Sequence, residues 1–377
     1  LDLKYHHEFA NDLALNVRGY YDRIYFRGDY PYDYPPPTLN QDSYLTQQGG
    51  GELSVVKRLF NRHKVIVGTE YRNQFQTDQN NKDEAPPVTY LDDRRSSTVW
   101  AVYAQEEWAI TDRLLLNAGI RHDHYSTFGG TTNPRAGLIY NWTNTTAKLL
   151  YGRAFRAPNP FEQNYAALNF LGNQNIAPER ITTYEAVLEH SLTTNLRASA
   201  TLYHNQIKGL ISQVSLPGAD GTVGTTDDLL QFQNVSSVKA HGVELTIEGK
   251  WPSGVEGRLS YALQRATDDS TGMRLSNSPQ SLAKVNLIVP LFSDKVFGGF
   301  ESRYTSRRGT VAGNQAKEVF LTNLSLFSPT LVKGWELSGQ ISNLFDYHYG
   351  DPGSHDHLQD TIEQNGRTFW VKLKYRY

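Results

Sequence analysis

Phe369-Trp370-Val371-Lys372-Leu373-Lys374-Tyr375-Arg376-Tyr377, the last nine residues, decide how the rest of the chain is read. Side chains alternate across a strand, so Phe369, Val371, Leu373, Tyr375 and Tyr377 share one face. Trp370, Lys372, Lys374 and Arg376 share the other. One face is wholly apolar, the other is basic, and the sequence ends on an aromatic residue. Such a ribbon needs an apolar medium on one side and water on the other.

The same period recurs upstream. Leu13, Leu15, Val17 and Tyr21 alternate with Ala14, Asn16, Arg18 and Asp22. Val65, Val67 and Tyr71 alternate with Gly68, Glu70 and Arg72. Val243, Leu245 and Ile247 alternate with Glu244, Thr246 and Glu248, and Leu259, Tyr261 and Leu263 with Arg258, Ser260 and Gln264. Charged residues recurring on one face cannot line a dry sandwich core, so the pattern predicts an all-β transmembrane antiparallel barrel with a wet interior. No stretch of the 377 residues approaches the ~18 apolar residues of a membrane helix, but barrel strands need only ~9–11. Twenty-three tyrosines and 12% aromatic residues suit interfacial girdles. Cysteine is absent, which excludes disulfides, thiolate chemistry and cysteine metal clusters. A formal charge of −2 gives no electrostatic case for nucleic acid.

Connections alternate in length. Short turns fall near 10–12, 61–63, 111–113, 143–145, 193–195, 252–254, 293–295 and 328–334. Longer polar stretches fall near 27–50, 78–97, 155–180, 213–233, 267–280, 306–316 and 346–365, and only the loop at 126–132 on that side is short. This asymmetry predicts short periplasmic turns and long extracellular loops. Trp108, Trp142, Trp251 and Trp335 lie beside the short turns, where a girdle belongs. About seventeen strands are counted. Because that number is odd and Leu1-Asp2-Leu3-Lys4-Tyr5-His6-His7-Glu8-Phe9 already alternates, the start of the barrel is expected to lie outside this sequence.

Three motifs then resemble TonB-dependent outer-membrane receptors. They are Tyr151-Gly152-Arg153-Ala154-Phe155-Arg156-Ala157-Pro158-Asn159-Pro160, Ala177-Pro178-Glu179-Arg180-Ile181-Thr182-Thr183-Tyr184-Glu185 and Ile341-Ser342-Asn343-Leu344-Phe345-Asp346-Tyr347-His348-Tyr349. With the aromatic ending, they stand in the family's order along essentially the whole chain. The resemblance implies a barrel of about 22 strands with a plugged lumen in a Gram-negative outer membrane. It makes residues 1–377 the C-terminal part of that barrel, from roughly the sixth strand to the last, with the plug domain elsewhere. It also implies that Phe369, Val371, Leu373, Tyr375 and Tyr377 form the signal read by barrel-assembly machinery. The implied partners are membrane lipid and lipopolysaccharide, the TonB complex through the plug, and an iron- or cobalt-chelate ligand. No cofactor of its own is implied. An incomplete barrel with open edges is expected to fold poorly alone.

Within that frame, Tyr30, Tyr32 and Tyr34 are candidate substrate contacts because aromatic faces suit planar ligands. Arg303, Arg307 and Arg308 are candidates because guanidinium forks suit carboxylate or catecholate oxygens. Arg153 and Arg156 read as lumen-facing charges paired with wall or plug carboxylates. Tyr184-Glu185, Asn343 and Asp346 read as strand and turn geometry. His122-Asp123-His124 and His355-Asp356-His357 lack the further ligands a metal centre needs. The stretch from Asp220 to Asp228 has oxygen ligands without EF-hand spacing. Gly49-Gly50-Gly51 is no phosphate loop, and no nucleophile elbow is present, so the chain is not read as an enzyme. The expected function is active uptake of a scarce solute such as a ferric siderophore or cobalamin. A passive channel, an adhesion or sensing barrel, and a soluble β-rich binding protein are the alternatives.

Overall fold

The computed structural model describes the chain except for Tyr34, Pro35, Ser293, Asp294, His355, Asp356 and Tyr377, and the side chains of Thr330, Leu331 and Val332. The expectations for Tyr34, for Tyr377 and for most of the second His-Asp-His motif therefore lie outside the described residues. No described helix is long and apolar enough to cross a membrane. Strands dominate instead. They run β1 (Asp2–Phe9), β2 (Leu13–Tyr32), β3 (Thr38–Leu59), β4 (His63–Glu84), β5 (Pro87–Ala109), β6 (Leu114–Tyr125), β7 (Gly129–Asn141) and β8 (Thr145–Arg156). A short helix, α1 (Pro160–Asn164), precedes β9 (Phe170–Leu171), β10 (Glu179–Ser191), β11 (Leu196–Leu216) and β12 (Leu229–Lys250). The rest are β13 (Glu256–Asp268), β14 (Ser281–Phe292), β15 (Val296–Thr305), β16 (Arg308–Gly309), β17 (Gln315–Ala316), β18 (Val319–Val332), β19 (Trp335–Ser342), β20 (Gly350–Pro352), β21 (Thr361–Glu363) and β22 (Thr368–Tyr375). Seventeen have eight residues or more, as the alternation predicts. The main sheet has 18 strands.

The chain divides into two compact units, one of Leu1–Leu138, Leu150–Thr183 and Ile207–Ser237, the other of Ile139–Leu149, Tyr184–Gln206 and Val238–Tyr377. In the first, β1 to β6 pair antiparallel in chain order. Tight turns join them: Asn11 and Asp12 take φ of 63° and 56°, the left-handed region that short Asn and Asp side chains tolerate. Register sorts the side chains of this half of the strands by face. Leu15, Val55, Val67, Ala104 and Ile120 form one row. Arg18, Glu52, Glu70, Ala101 and Asp123 form a row on the opposite face. Val67 and Ile120 are about half exposed.

Two expected loops are in fact strand. Residues 27–50 and 78–97 continue the ladders, leaving only 33–37 and 85–86 as connections. Tyr, Thr and Gln carry these extensions, and β-propensity outweighs the Pro, Asp and Asn that read as loop. Gly49-Gly50-Gly51 lies mid-strand, where a Cβ on Gly50 would sit 2.6 Å from the Tyr20 ring.

In the second unit, the ladder β12–β13–β14–β15–β18–β19–β22 is antiparallel throughout. Its rows separate equally well. Gly257, Leu287, Phe300, Leu324, Ile341 and Phe369 face one way, and Glu248, Arg258, Asn286, Glu301 and Asn323 the other. On β22, Phe369, Val371, Leu373 and Tyr375 are exposed. Trp335 packs against Tyr375 at 4.9 Å between ring centroids, close to the short turn between β18 and β19.

Candidate functional site

An aromatic row marks a boundary across the first unit. Gly19, Gly51, Tyr71, Trp100 and His124 are register partners, with Trp100 stacked on His124 at 5.3 Å and Tyr21 on Phe75 at 6.3 Å. At the short-turn end, His63 stacks on Trp108 at 5.4 Å. From Leu13 to Tyr21, from His63 to Tyr71 and from Trp100 to Trp108, nine residues separate the two levels inclusively. That is the ~9–11 residues a tilted strand uses to cross a bilayer. The strand portions past the aromatic row therefore stand beyond the hydrocarbon.

There the polarity of the faces reverses. One face carries the long connection after β8 and is called the connection face. Near the short turns it bears Arg18, Glu52, Glu70, Arg121 and Asp123. Arg121 bridges Glu70 at 2.7 Å and Asp123 at 2.8 Å. Past the aromatic row the same face of β2 bears Ile24, Phe26, Tyr30 and Tyr32, opposite Thr46, Tyr44, Asn40 and Thr38 of β3. Phe26 stacks on Tyr44 at 5.4 Å, and Ile24 stays 52% exposed. Arg23, Arg27, Lys82 and Arg94 of this level lie on the other face, and Arg72 and Arg95 on the connection face. A register shift between Gln47 and Gly49 changes the parity of β4, so Thr77, Gln79, Asn81 and Asp83 turn to the connection face and are buried there.

The connection covers them. Asn159 caps α1: its side chain accepts from Glu162 N at 2.9 Å, and Glu162 Oε2 accepts from Asn159 N at 2.9 Å, with Pro160 at the first helical position. Arg156 holds this turn down. It donates to Glu162 at 2.9 and 3.1 Å and to Glu179 at 2.8 and 2.9 Å. Tyr165 packs on Phe161 at 4.4 Å and on Phe170 at 5.9 Å. The Tyr165 hydroxyl accepts from Asn81 at 2.9 Å and lies 3.4 Å from Asp42, and Gln79 donates to the Pro160 carbonyl at 3.1 Å. Asn40 donates to Asn81 and to Asp83, each at 2.9 Å. Burial raises the Asp42 carboxyl above the usual carboxylate range. Burial, reinforced by the nearby Asp42 charge, pushes the Tyr165 phenol up. Beside α1 lies a cavity of about 320 Å³, with Gln74, Thr77, Arg95, Ser97, Gln163 and Asn164 among its lining.

The residues expected at the site are divided between the two units. Tyr30 and Tyr32 are on this aromatic surface in the first unit. Arg303, Arg307 and Arg308 belong to the second unit. Arg303 is opposite Lys284 in register. Arg307 pairs with Glu318 at 2.6 Å, holding that carboxyl below its usual range, and Arg308 pairs with Asp351 at 2.7 Å and Asn277 at 3.2 Å. Arg153 lines a cavity of about 410 Å³ near Arg135, Glu52 and Tyr103. Asn343 bonds the backbone of Tyr347 in both directions, at 2.8 and 2.9 Å, and Asp346 accepts from Arg367 N at 2.7 Å. His122 meets Thr132 at 2.8 Å, and among the described residues no three His, Cys, Asp or Glu side chains gather as a metal site. Asp227 and Asp228 accept from the N–H groups of Asp220 and Gly224 in their own loop. Sequence reasoning passed over Glu162, Tyr165 and Asp42. The capping pattern from Asn159 to Glu162 was a readable signal for the first.

A nine-residue apolar band between aromatic rows, on strands whose other face is charged, defines an outer-membrane β-barrel protein. The chain belongs to the TonB dependent receptor-like β-barrel family, whose model matches residues 1–344. It is 26% identical over 334 residues to the iron-regulated outer membrane virulence protein of Vibrio cholerae, covering 82% of this chain and 49% of that one. It is 28% identical over 265 residues to the vitamin B12 transporter BtuB of the same species, covering 68% and 39%. The solved structure of the copper transporter OprC superposes with a TM-score of 0.79 at 16% identity, covering 99% of this chain and 64% of that one. The chain thus spans about half the length, or less, of these curated relatives. The family's members are receptors of the Gram-negative outer membrane, and that is where this protein resides.

Proposed function

We propose that the protein takes part in energy-coupled uptake of a scarce solute, a ferric siderophore or cobalamin, across the outer membrane. The aromatic surface beyond the girdle carries this reading: Ile24, Phe26, Tyr30 and Tyr44 stand on the connection face with much of their apolar area uncovered. Aromatic and apolar side chains gathered in this way suit the flat or apolar parts of such a solute. Relatives named for iron regulation and for vitamin B12 transport support considering these two solute classes. In this reading residues 1–377 form the C-terminal barrel portion, and TonB acts through a plug encoded outside them. Lipid, lipopolysaccharide and the barrel-assembly machinery contact the outer surface and β22.

The test is uptake of radiolabelled ferric chelates and of cobalamin by the source bacterium and by its deletion strain. Uptake of one class should fall in the deletion strain and in wild-type cells whose proton-motive force is collapsed. Uptake lost on deletion but indifferent to the proton-motive force would make the protein a passive channel. Unchanged uptake of both classes would end the transport reading.

A further inference from the structure

The connection face beyond the girdle is short of cations. Across the described far portions of β2 to β5 it bears four carboxylates, Asp22, Asp42, Asp83 and Asp93, against two guanidiniums, Arg95 and, one residue past the aromatic row, Arg72. Arg95 is already held by Asp93 at 2.8 and 2.9 Å. Every other Arg or Lys at this level is on the opposite face. A polyanionic chelate approaching the surface would meet an excess of carboxylates over guanidiniums and lose hydration that these few cations do not replace. Aromatic rings backed by carboxylates instead suit a flat group that is neutral or positive. A second observation points to a ligand. The Thr38 hydroxyl, on the same face and opposite Tyr32 in register, is 8% exposed and has no hydrogen-bond partner among the described residues. A buried hydroxyl left unpaired is costly unless something bonds it.

From this surface we infer that the ligand is neutral or cationic, and that it lays a flat conjugated or apolar surface on Phe26 and Tyr44 while meeting Asp42 and Thr38 at its edge. This narrows the transport proposal and rests on it. Polyanionic ferric tricatecholates are the solutes it rules out at this surface.

The full-length receptor, purified in detergent, would be titrated with four probes by fluorescence quenching. These are cobalamin, a ferric tricatecholate, and two porphyrins of one skeleton bearing either N-methylpyridinium or sulfonate groups. Cobalamin or the cationic porphyrin should bind saturably, and the two anions at least about tenfold more weakly. Tyr44→Ala should weaken the favoured probe about tenfold. Asp42→Asn, a nearly isosteric change, should narrow the gap between the porphyrins, whereas Arg27→Ala on the opposite face should leave the titrations unchanged. Tightest binding by either anion, weakened by Tyr44→Ala, would overturn the inference and leave the transport proposal standing. Binding of none of the four would overturn the inference and leave the transport proposal to the uptake assay.

Discussion

The near and far portions of the same strands in the first unit obey opposite rules. Between the short turns and the aromatic row, Leu15, Val55, Val67 and Ile120 cover one face while Arg18, Glu70 and Arg121 occupy the other. Past that row, Arg23 and Arg27 take the formerly apolar face and Ile24, Phe26 and Tyr44 take the formerly charged one. The backbone is continuous, so the change is one of solvent. A face bounded by hydrocarbon must be apolar whatever else the strand does. Freed of that demand, each face is shaped by what it meets in water. The near charged face is an ion-pair lattice, and the far connection face is a cover for α1 and an open aromatic surface.

The largest effect that would break this comparison is a charge placed on each side of the boundary. Val67→Arg, on the outer face at mid-band, should cost about 2–4 kcal/mol. Leu45→Arg, on the same face beyond the girdle, should stay within about 0.5 kcal/mol. Reversible denaturant titration in phospholipid vesicles reads both, and equal costs would erase the boundary. Next in size is Arg156→Met. It leaves Glu162 and Glu179, whose side chains are 10% and 14% exposed, without their counter-charge. Arg156 is itself half-exposed, so the cost is set at about 2 kcal/mol, below that of breaking a fully buried pair. The loss should be confined to the connection. Hydrogen exchange across 157–178 should rise sharply while β3 and β4 near the short turns keep their protection. Uniform loosening of the whole unit would mean that Arg156 supports the wall and not the connection.

The near half was legible in the sequence because a bilayer imposes one repeated rule. Val65, Val67 and Tyr71 against Gly68 and Glu70 state that rule in seven residues, and the strand number and the tryptophan placement follow from it. The far half was not legible for two physical reasons. Past the girdle no face is obliged to be apolar, so 27–50 and 78–97 lose their period and read as loop although they are strand. The register shift opposite Gln47 then flips the parity of β4, which no count of alternating residues in β4 alone can place. Tyr30 and Tyr32 fall on the aromatic surface, while Arg307 and Arg308 are engaged by Glu318 and Asp351, partners distant enough in sequence that no local pattern joins them.

Two smaller changes sharpen the far half itself. Tyr165→Phe removes the acceptor of the Asn81 bond and should cost about 1 kcal/mol, read as faster exchange at α1. Asp42→Asn is smaller and depends on pH. Burial raises the Asp42 pKa in the folded protein, so the folded state prefers the protonated form. The contribution of that group is fully present below the ordinary aspartate value near ~4 and is lost as pH rises through the raised folded value. The wild type should therefore be less stable than Asp42→Asn at neutral pH, by less than about 1 kcal/mol because Asp42 is partly solvated. The two should converge below about pH 4. Thermal unfolding compared across that range decides it. A variant less stable than the wild type at neutral pH would show that the Asp42 charge is compensated in place, and the electronegative character of the aromatic surface would have to be given up.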